Sequence, residues 1–379
     1  VSDDTHRYAL MILLAVVLLV GLGISFIYSS SAIISLRRFN DPYRLLYQQL
    51  ISAVLGLAVM SVAYYIPSAW VRSSSRLIIL AGIIMLVMVF VPAIGLKVGR
   101  AHRWLSFGRF TVQPSVLLKI ILPLYLIDAM VRKEPVRKKL VRGLLPLLVV
   151  TAVTVGLILL EPDFGTAVVI MVMVMAIIFV GGVALKYLGV IYALLAAAMF
   201  FAVRFVPYRW KRVLTFIDPF ADPYGKGYQI IQSHRAFANG GIFGVGLGNS
   251  RLKQGLLPEP YGDFIYAIIG EETGLVGALV ILSLYGMLCY AGVMLARTAR
   301  DRYHELLGFA MVIIFAVQAL TNMAVVLGVL PTTGLTLPFV SKGGSSLVAF
   351  MAAAGFLLKV SRRQYQRGAE PAGGGNYGG

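Results

Sequence analysis

The acidic residue of this sequence best placed to do chemistry is Asp263. It follows Leu257-Pro258-Glu259-Pro260-Tyr261-Gly262 and precedes Phe264-Ile265-Tyr266-Ala267, at the mouth of a long apolar run. An ionisable group at such a boundary is costly to bury, which makes it a functional candidate; a plain N-terminal helix cap is the bland alternative. Glu271 and Glu272 lie two helical turns further on and are candidate intramembrane partners for it. Lys119 is a second ionisable group in apolar surroundings, with snorkelling to the interface as the competing reading. Cations stand beside aromatics in Pro207-Tyr208-Arg209-Trp210-Lys211-Arg212. That mixture suits a diphosphate and a sugar, and equally suits an interfacial aromatic belt. The stretch Asn239-Gly240-Gly241-Ile242-Phe243-Gly244-Val245-Gly246-Leu247-Gly248-Asn249-Ser250 could offer backbone N–H groups to phosphate. It lacks the Lys-Ser/Thr ending of a nucleotide loop, and close backbone packing explains its glycines as well.

These residues must be positioned by membrane helices. Of the 379 residues, 59% are hydrophobic and 13% charged, and the mean hydropathy is +0.84. That balance is far from a soluble domain's. Apolar runs of about 20 residues, enough to cross a hydrocarbon core, recur along the chain. They predict an all-α polytopic membrane protein with about ten spans. The spans are expected near 8–28, 45–66, 77–94, 113–130, 144–160, 165–180, 185–205, 264–296, 306–330 and 347–360. The eighth is long enough to tilt strongly or to project beyond the bilayer. Residues 206–262 form the long non-spanning segment, between the seventh and eighth spans. Residues 1–367 read as one transmembrane domain, and the glycine-rich stretch 368–379 as a tail without the apolar residues to fold.

The formal charge of +18 does not point to nucleic acid. Its cations sit in short connections between apolar runs, which fits anionic lipid headgroups or a phosphate-bearing lipid substrate. The cluster Arg132-Lys133-Glu134-Pro135-Val136-Arg137-Lys138-Lys139 predicts a cytoplasmic loop, and an even span count then puts both termini in the cytoplasm. The opposite face also carries cations, among them Lys97, Arg100, Arg103 and Arg109, and an anionic substrate there would account for them. The one cysteine, Cys289, allows no internal disulfide.

Five segments in order along the chain resemble a known family. They are Arg103-Trp104-Leu105 with Gln113-Pro114-Ser115 and Lys119; Pro162-Asp163-Phe164-Gly165-Thr166; Asp218-Pro219 through Gly227-Tyr228-Gln229; Leu257-Pro258-Glu259 with Asp263-Phe264-Ile265 and Gly270-Glu271-Glu272; and 330–341 with Gly343-Gly344-Ser345-Ser346. Their order is similar to that of the SEDS proteins (shape, elongation, division, sporulation), the group containing FtsW, RodA and SpoVE. Gly246–Ser250, Ile269–Glu272 and Gly334–Pro338 look more like FtsW than RodA.

The resemblance implies a peptidoglycan glycosyltransferase polymerising lipid II at the outer face of the bacterial cytoplasmic membrane. It implies a class B penicillin-binding protein as transpeptidase partner, along with other division or elongation proteins. Asp263 matches the family's essential aspartate. Arg103, Lys119, Arg209, Arg212, Gln229, Glu259, Ser345 and Ser346 follow as substrate-binding candidates. No metal-ligand cluster of recognisable spacing is present, and a divalent cation, Mg or Mn, stays open as a partner for the diphosphate. Three positions depart from the family pattern: Val116 for Glu, Gly262 for Thr and Lys342 for Tyr. Without a Glu at 116, Lys119 is expected to be free to pair with Asp263. A lipid-linked precursor transporter, which many spans and intramembrane charges would suit, and a non-catalytic division scaffold, which needs only docking surfaces and which Val116 favours, are the competing functions.

Overall fold

The computed structural model describes residues 2–98, 101–108, 110–132, 143–225, 227–254, 257 and 259–368. Of the residues singled out above, Arg100, Arg109, Lys226, Pro258, the cationic stretch 133–139 and the tail from 369 lie outside that set.

Helices dominate because a chain in hydrocarbon must satisfy its backbone hydrogen bonds internally. In chain order they are α1 (Ser2–Phe39), α2 (Arg44–Tyr65), α3 (Ser68–Ser73), α4 (Ser75–Met88), α5 (Pro114–Arg132), α6 (Leu145–Leu160), α7 (Phe164–Val180), α8 (Leu185–Arg204), α9 (Pro207–Ile217), α10 (Tyr228–Gly240), α11 (Ile265–Arg297), α12 (Arg302–Val326) and α13 (Gly344–Gly368). Among the described residues six are long and apolar enough to cross a membrane, and four shorter apolar helices bring the set to ten. These ten coincide with the ten expected runs. The shortest, α4, has 14 residues and reaches only about 21 Å. The short α3 precedes it across Ser74. Buried side chains line α5 along nearly its whole length, which makes it the central helix of the bundle.

Contacts at the two ends fix the alternation of directions. At one end Lys359 Nζ donates to Ile66 O, Arg362 to Tyr65 O, and Arg302 to Val180 O. The carboxylate of Asp128 is held at that end by Arg132, Arg72 and the Ser75 hydroxyl. At the other end Gln113 N meets Ser345 Oγ and Arg103 reaches the carbonyls between α6 and α7. All five motif segments lie at this second end.

Two features of that end were not expected. Three strands, β1 (Gly95–Val98), β2 (Ala101–Phe107) and β3 (Phe110–Val112), form a small antiparallel sheet, with Leu105 opposite Val112 and Leu96 opposite Trp104. The third apolar run therefore stops being helical at Met88 rather than continuing to Ile94. The segment between α8 and α11 is also folded: it holds the amphipathic helices α9 and α10, joined through a 3₁₀ turn at Pro219–Ala221.

The length of α11 is explained by a break. Gly274 has φ 67° and ψ −163°, and a Cβ there would lie 2.4 Å from Ile242 O. The glycine-rich segment fills the break: Val245 N and Gly246 N donate to the carbonyls of Glu271 and Glu272, while Gly241 O and Ile242 O accept from Leu275 N and Val276 N. These are the backbone groups that two helix ends leave without partners. Packing, rather than phosphate binding, is thus what the glycines serve. Gly244 shows the same pressure, since a Cβ on it would meet Glu272 O at 2.2 Å.

Candidate functional site

Asp263 stands two residues before α11, in a turn between Tyr261 and the helix. It does not cap that helix: the N-cap position is Phe264, which makes no side-chain capping bond. Its backbone carbonyl is gripped instead by α12, where Asn322 Nδ2 donates to Asp263 O at 2.9 Å and to Leu335 O at 2.5 Å. One helical turn earlier, Gln318 Nε2 donates to Thr336 O at 2.8 Å. Two buried amides spaced i, i+4 on one face of α12 therefore hold both Asp263 and the segment that passes over it. A Cβ on exposed Gly334 would be 3.6 Å from Asp263 Oδ2, so that segment leaves the carboxylate open from above.

Four charged groups act on this carboxyl. Burial, with Glu259 and Asp163 nearby, pushes Asp263 up to about 7, and Arg103 and Arg212 pull it back down. Arg103 is carried by β2, and its guanidinium donates to Glu161 O at 3.2 Å and Pro162 O at 2.5 Å. Arg212, exposed on α9, donates to Thr332 O at 3.3 Å. Glu259 is exposed and faces Arg38 at 3.9 Å. Lys342, the departure in the last motif, lies over the Tyr261 ring at 5.0 Å, and its backbone N–H donates to Tyr261 O.

Asp163 ties the remaining motifs together. It caps α7 by accepting from Thr166 N at 3.3 Å, and its other oxygen accepts from Gln113 Nε2 at 3.4 Å. Gln113 N in turn meets Ser345 Oγ, which donates to Thr111 O at 3.1 Å. Ser346 Oγ lies 2.6 Å from Thr336 Oγ1. Beneath them Lys119 is 4% exposed and donates to Gln318 Oε1 at 3.0 Å.

Several expectations are corrected by this geometry. Lys119 neither snorkels nor pairs with Asp263: Gln318 takes its proton donor, and Asp163 is the carboxylate near it. Val116 is buried in the core, 6% exposed. Glu271 and Glu272 are not partners of Asp263. Glu271 accepts from Ser250 Oγ at 2.5 Å and from Leu252 N, and Glu272 pairs with Lys253 at 3.4 Å and accepts from Ser29 Oγ at 2.7 Å. Both brace the glycine-rich segment. Of the substrate-binding candidates, Arg103, Arg212 and Glu259 surround Asp263, while Lys119, Ser345 and Ser346 belong to the shell around Asp163 and Thr336. Arg209 reaches Leu159 O at 3.4 Å and lies over the Phe164 ring, to one side. Gln229 sits half-buried in the first turn of α10 and is not drawn into this set.

Glu161, Gln318 and Asn322 are the residues that sequence reasoning missed. The amides were visible as polar groups one turn apart in an apolar helix, a pattern that marks function in membrane spans. Unspent hydrogen-bonding groups collect here too. Ser115 Oγ, Thr333 Oγ1, Asn322 Oδ1 and both carboxylate oxygens of Glu161 are buried without a partner. Native interiors rarely leave such groups unpaired, and a concentration of them marks a place where a ligand or proton supplies the partner. Among the described residues no three His, Cys, Asp or Glu side chains come together as a metal site.

A polytopic helical bundle with an acid, two arginines and buried amides at one end defines a class of membrane-embedded site. The chain belongs to the FtsW/RodA/SpoVE family of cell cycle proteins, whose pattern matches residues 9–366. The chain is 39% identical over 95% of its length, and 96% of the relative's, to a Geobacter metallireducens protein named "probable peptidoglycan glycosyltransferase FtsW". A Coxiella burnetii protein of the same name is 36% identical, over 95% of this chain and 98% of the relative. Among solved structures, a chain of a peptidoglycan synthase complex superposes with a TM-score of 0.77 at 30% identity, covering 94% of this chain and 98% of that one. Thermus thermophilus RodA does so with a TM-score of 0.68 at 27% identity, covering 94% and 97%.

Proposed function

We propose that this protein is a peptidoglycan glycosyltransferase that polymerises lipid II, with Asp263 as its general base. The observation that supports this most directly is the carboxyl itself. It is positioned by backbone clamps, flanked by Arg103 and Arg212, and held near 7, where a base can both be ionised and take a proton.

In the reaction, the 4-hydroxyl of an incoming lipid II sugar attacks the anomeric carbon at the reducing end of the growing glycan. The new C–O bond forms as the bond from that carbon to the polyprenyl diphosphate breaks. The hydroxyl proton passes to Asp263, and the leaving diphosphate carries away the electron pair. Arg103 and Arg212 are the cations placed to stabilise that charge. Lys119 acts from below, through Gln318, on the Thr336 segment, whose hydroxyl meets Ser346 at the start of α13. A divalent cation, Mg or Mn, held on the diphosphate would add positive charge at the same place, and EDTA with added Mg or Mn in the same assay reads its contribution.

The motif-bearing end is assigned to the outside of the cytoplasmic membrane and both termini to the cytoplasm. A class B penicillin-binding protein is the partner expected to crosslink the product. Cysteine labelling of intact cells tests the orientation: a cysteine at Tyr224, 94% exposed between α9 and α10, should label from outside. Labelling of a cysteine in the tail, with none at 224, would reverse the assignment. Purified protein with labelled lipid II tests the activity. Polymer supports the enzyme, movement across a bilayer without polymer supports a transporter, and neither leaves a scaffold.

A further inference from the structure

Glu161 is a buried acid that the reaction does not use. It follows the last residue of α6 and stands at that helix's C-terminal cap. Its exposure is 0%, and neither carboxylate oxygen has a hydrogen-bond partner. An ionised carboxylate in that state is strongly disfavoured. Yet a cation is within reach: Arg103 donates to the backbone carbonyls of Glu161 and Pro162, and bypasses the Glu161 side chain. The same arginine is close enough to Asp263 to draw its proton affinity down. Asp163, two residues on, adds a second negative charge against Glu161. From α9, Arg209 donates to Leu159 O and brings a second cation to this turn, and Lys119 lies near Asp163.

We propose that Glu161 is a positioning residue held as the neutral acid. While it keeps its proton, Arg103 stays on the backbone carbonyls and its charge serves Asp263 and the leaving diphosphate. When it gives that proton to solvent, the new carboxylate takes Arg103 into an ion pair and withdraws it from the site. Burial, reinforced by Asp163 and opposed by Arg103, pushes Glu161 up to about 8. Polymerisation would then be confined from both sides. Asp263 sets the acid limb near 7 and Glu161 the alkaline limb near 8. The inference rests on the glycosyltransferase reading, and its test keeps the two apart.

The experiment compares initial rates of lipid II polymerisation for the parent and Glu161→Gln across pH 5.5 to 9.5. Glutamine keeps the shape of the neutral acid and cannot ionise. Both proteins should show the acid limb, and only the parent should fall on the alkaline side. The variant should outpace the parent by about tenfold one pH unit above the Glu161 midpoint, which is what a single ionisation gives. The same alkaline fall in both proteins overturns the proposal, as does loss of the acid limb with Glu161→Gln. A second measurement needs neither activity nor that variant. In an Asp263→Asn background, infrared difference spectra between pH 7 and 9 should show a buried protonated carboxyl losing its carbonyl band near pH 8. Absence of that band at pH 7 also overturns it. Failure of the parent to make polymer at any pH, with the band present, would count against the glycosyltransferase reading and leave the protonated Glu161 standing.

Discussion

Replacing Asp263 with asparagine separates what this residue does for chemistry from what it costs the fold. The carboxyl goes from an ordinary value of 3.8 to about 7 in the folded protein. Below pH 4 it is protonated both folded and unfolded, and it adds no pH dependence. Between 4 and 7 the unfolded chain ionises while the folded one holds its proton, and this contribution to stability falls by 1.36 kcal/mol per pH unit. By pH 8 the accumulated cost is about 4 kcal/mol, a ceiling because the group is partly open to water. Asparagine carries none of it. Asp263→Asn should therefore unfold at the same temperature as the parent at about pH 3.5 and at a clearly higher one at pH 8. At that pH the same variant should lose 10²–10⁴ of the polymerisation rate, the usual worth of a general base. Thermal unfolding in detergent at the two pH values, beside initial rates from labelled lipid II, gives both numbers. A stable variant with full rate would refute the catalytic role. A variant less stable than the parent at pH 8 would refute the argument that burial, rather than structural pairing, raises this carboxyl.

Other substitutions test the scaffold. Asn322→Leu removes the donor to Asp263 O and Leu335 O, so two backbone carbonyls lose their partner at about 1–3 kcal/mol each, and both melting temperature and polymer rate should drop. Lys253→Met strands the buried Glu272 carboxylate and should cost about 3–5 kcal/mol. Specific activity per folded molecule should hold, because that pair braces the glycine-rich segment and does not touch Asp263. Gly334→Ala should fold and work, its Cβ making ordinary contact 3.6 Å from Asp263 Oδ2, whereas Gly334→Leu should fold and lose polymerisation by covering the carboxylate. Equal activity of the alanine and leucine forms would show that substrate does not approach from that side.

The helical bundle was legible because hydrocarbon permits so few backbone solutions: ten apolar runs became ten apolar helices, though α1 runs on to Phe39 and α13 to Gly368, well past the expected ends. Asp263 was legible because an acid at the edge of an apolar run stands out. The sheet was not. Its strands are four, seven and three residues long, and the stretch mixes Lys97, His102 and Arg103 with Trp104 and Leu105, with no clean alternation to read. The break in α11 was hidden for another reason. Gly274 is one of many glycines, and only the approach of Ile242 O from a distant segment makes its conformation obligatory. Glu271 and Glu272 follow Asp263 by two turns in sequence, but distance along a helix does not give direction in space. They face Ser250 and Lys253 rather than the acid two turns before them.

The side chains that build the site share one habit: they bind backbone. Asn322 holds the carbonyls of Asp263 and Leu335, Gln318 that of Thr336, Arg103 those of Glu161 and Pro162, and Arg212 that of Thr332. Such bonds leave no trace in charge pairing or in the spacing of like residues, so the clamp is invisible until the chain is folded. They also fit the task proposed here. A base that must accept a proton cannot be immobilised through its own oxygens without losing basicity, since a hydrogen bond to the charged form lowers its proton affinity. Gripping the peptide carbonyl of Asp263 fixes the residue in space and leaves both carboxylate oxygens for the substrate. The same logic reads Arg103: anchored on carbonyls rather than on Glu161, it keeps an unneutralised positive charge beside the site where a diphosphate would depart.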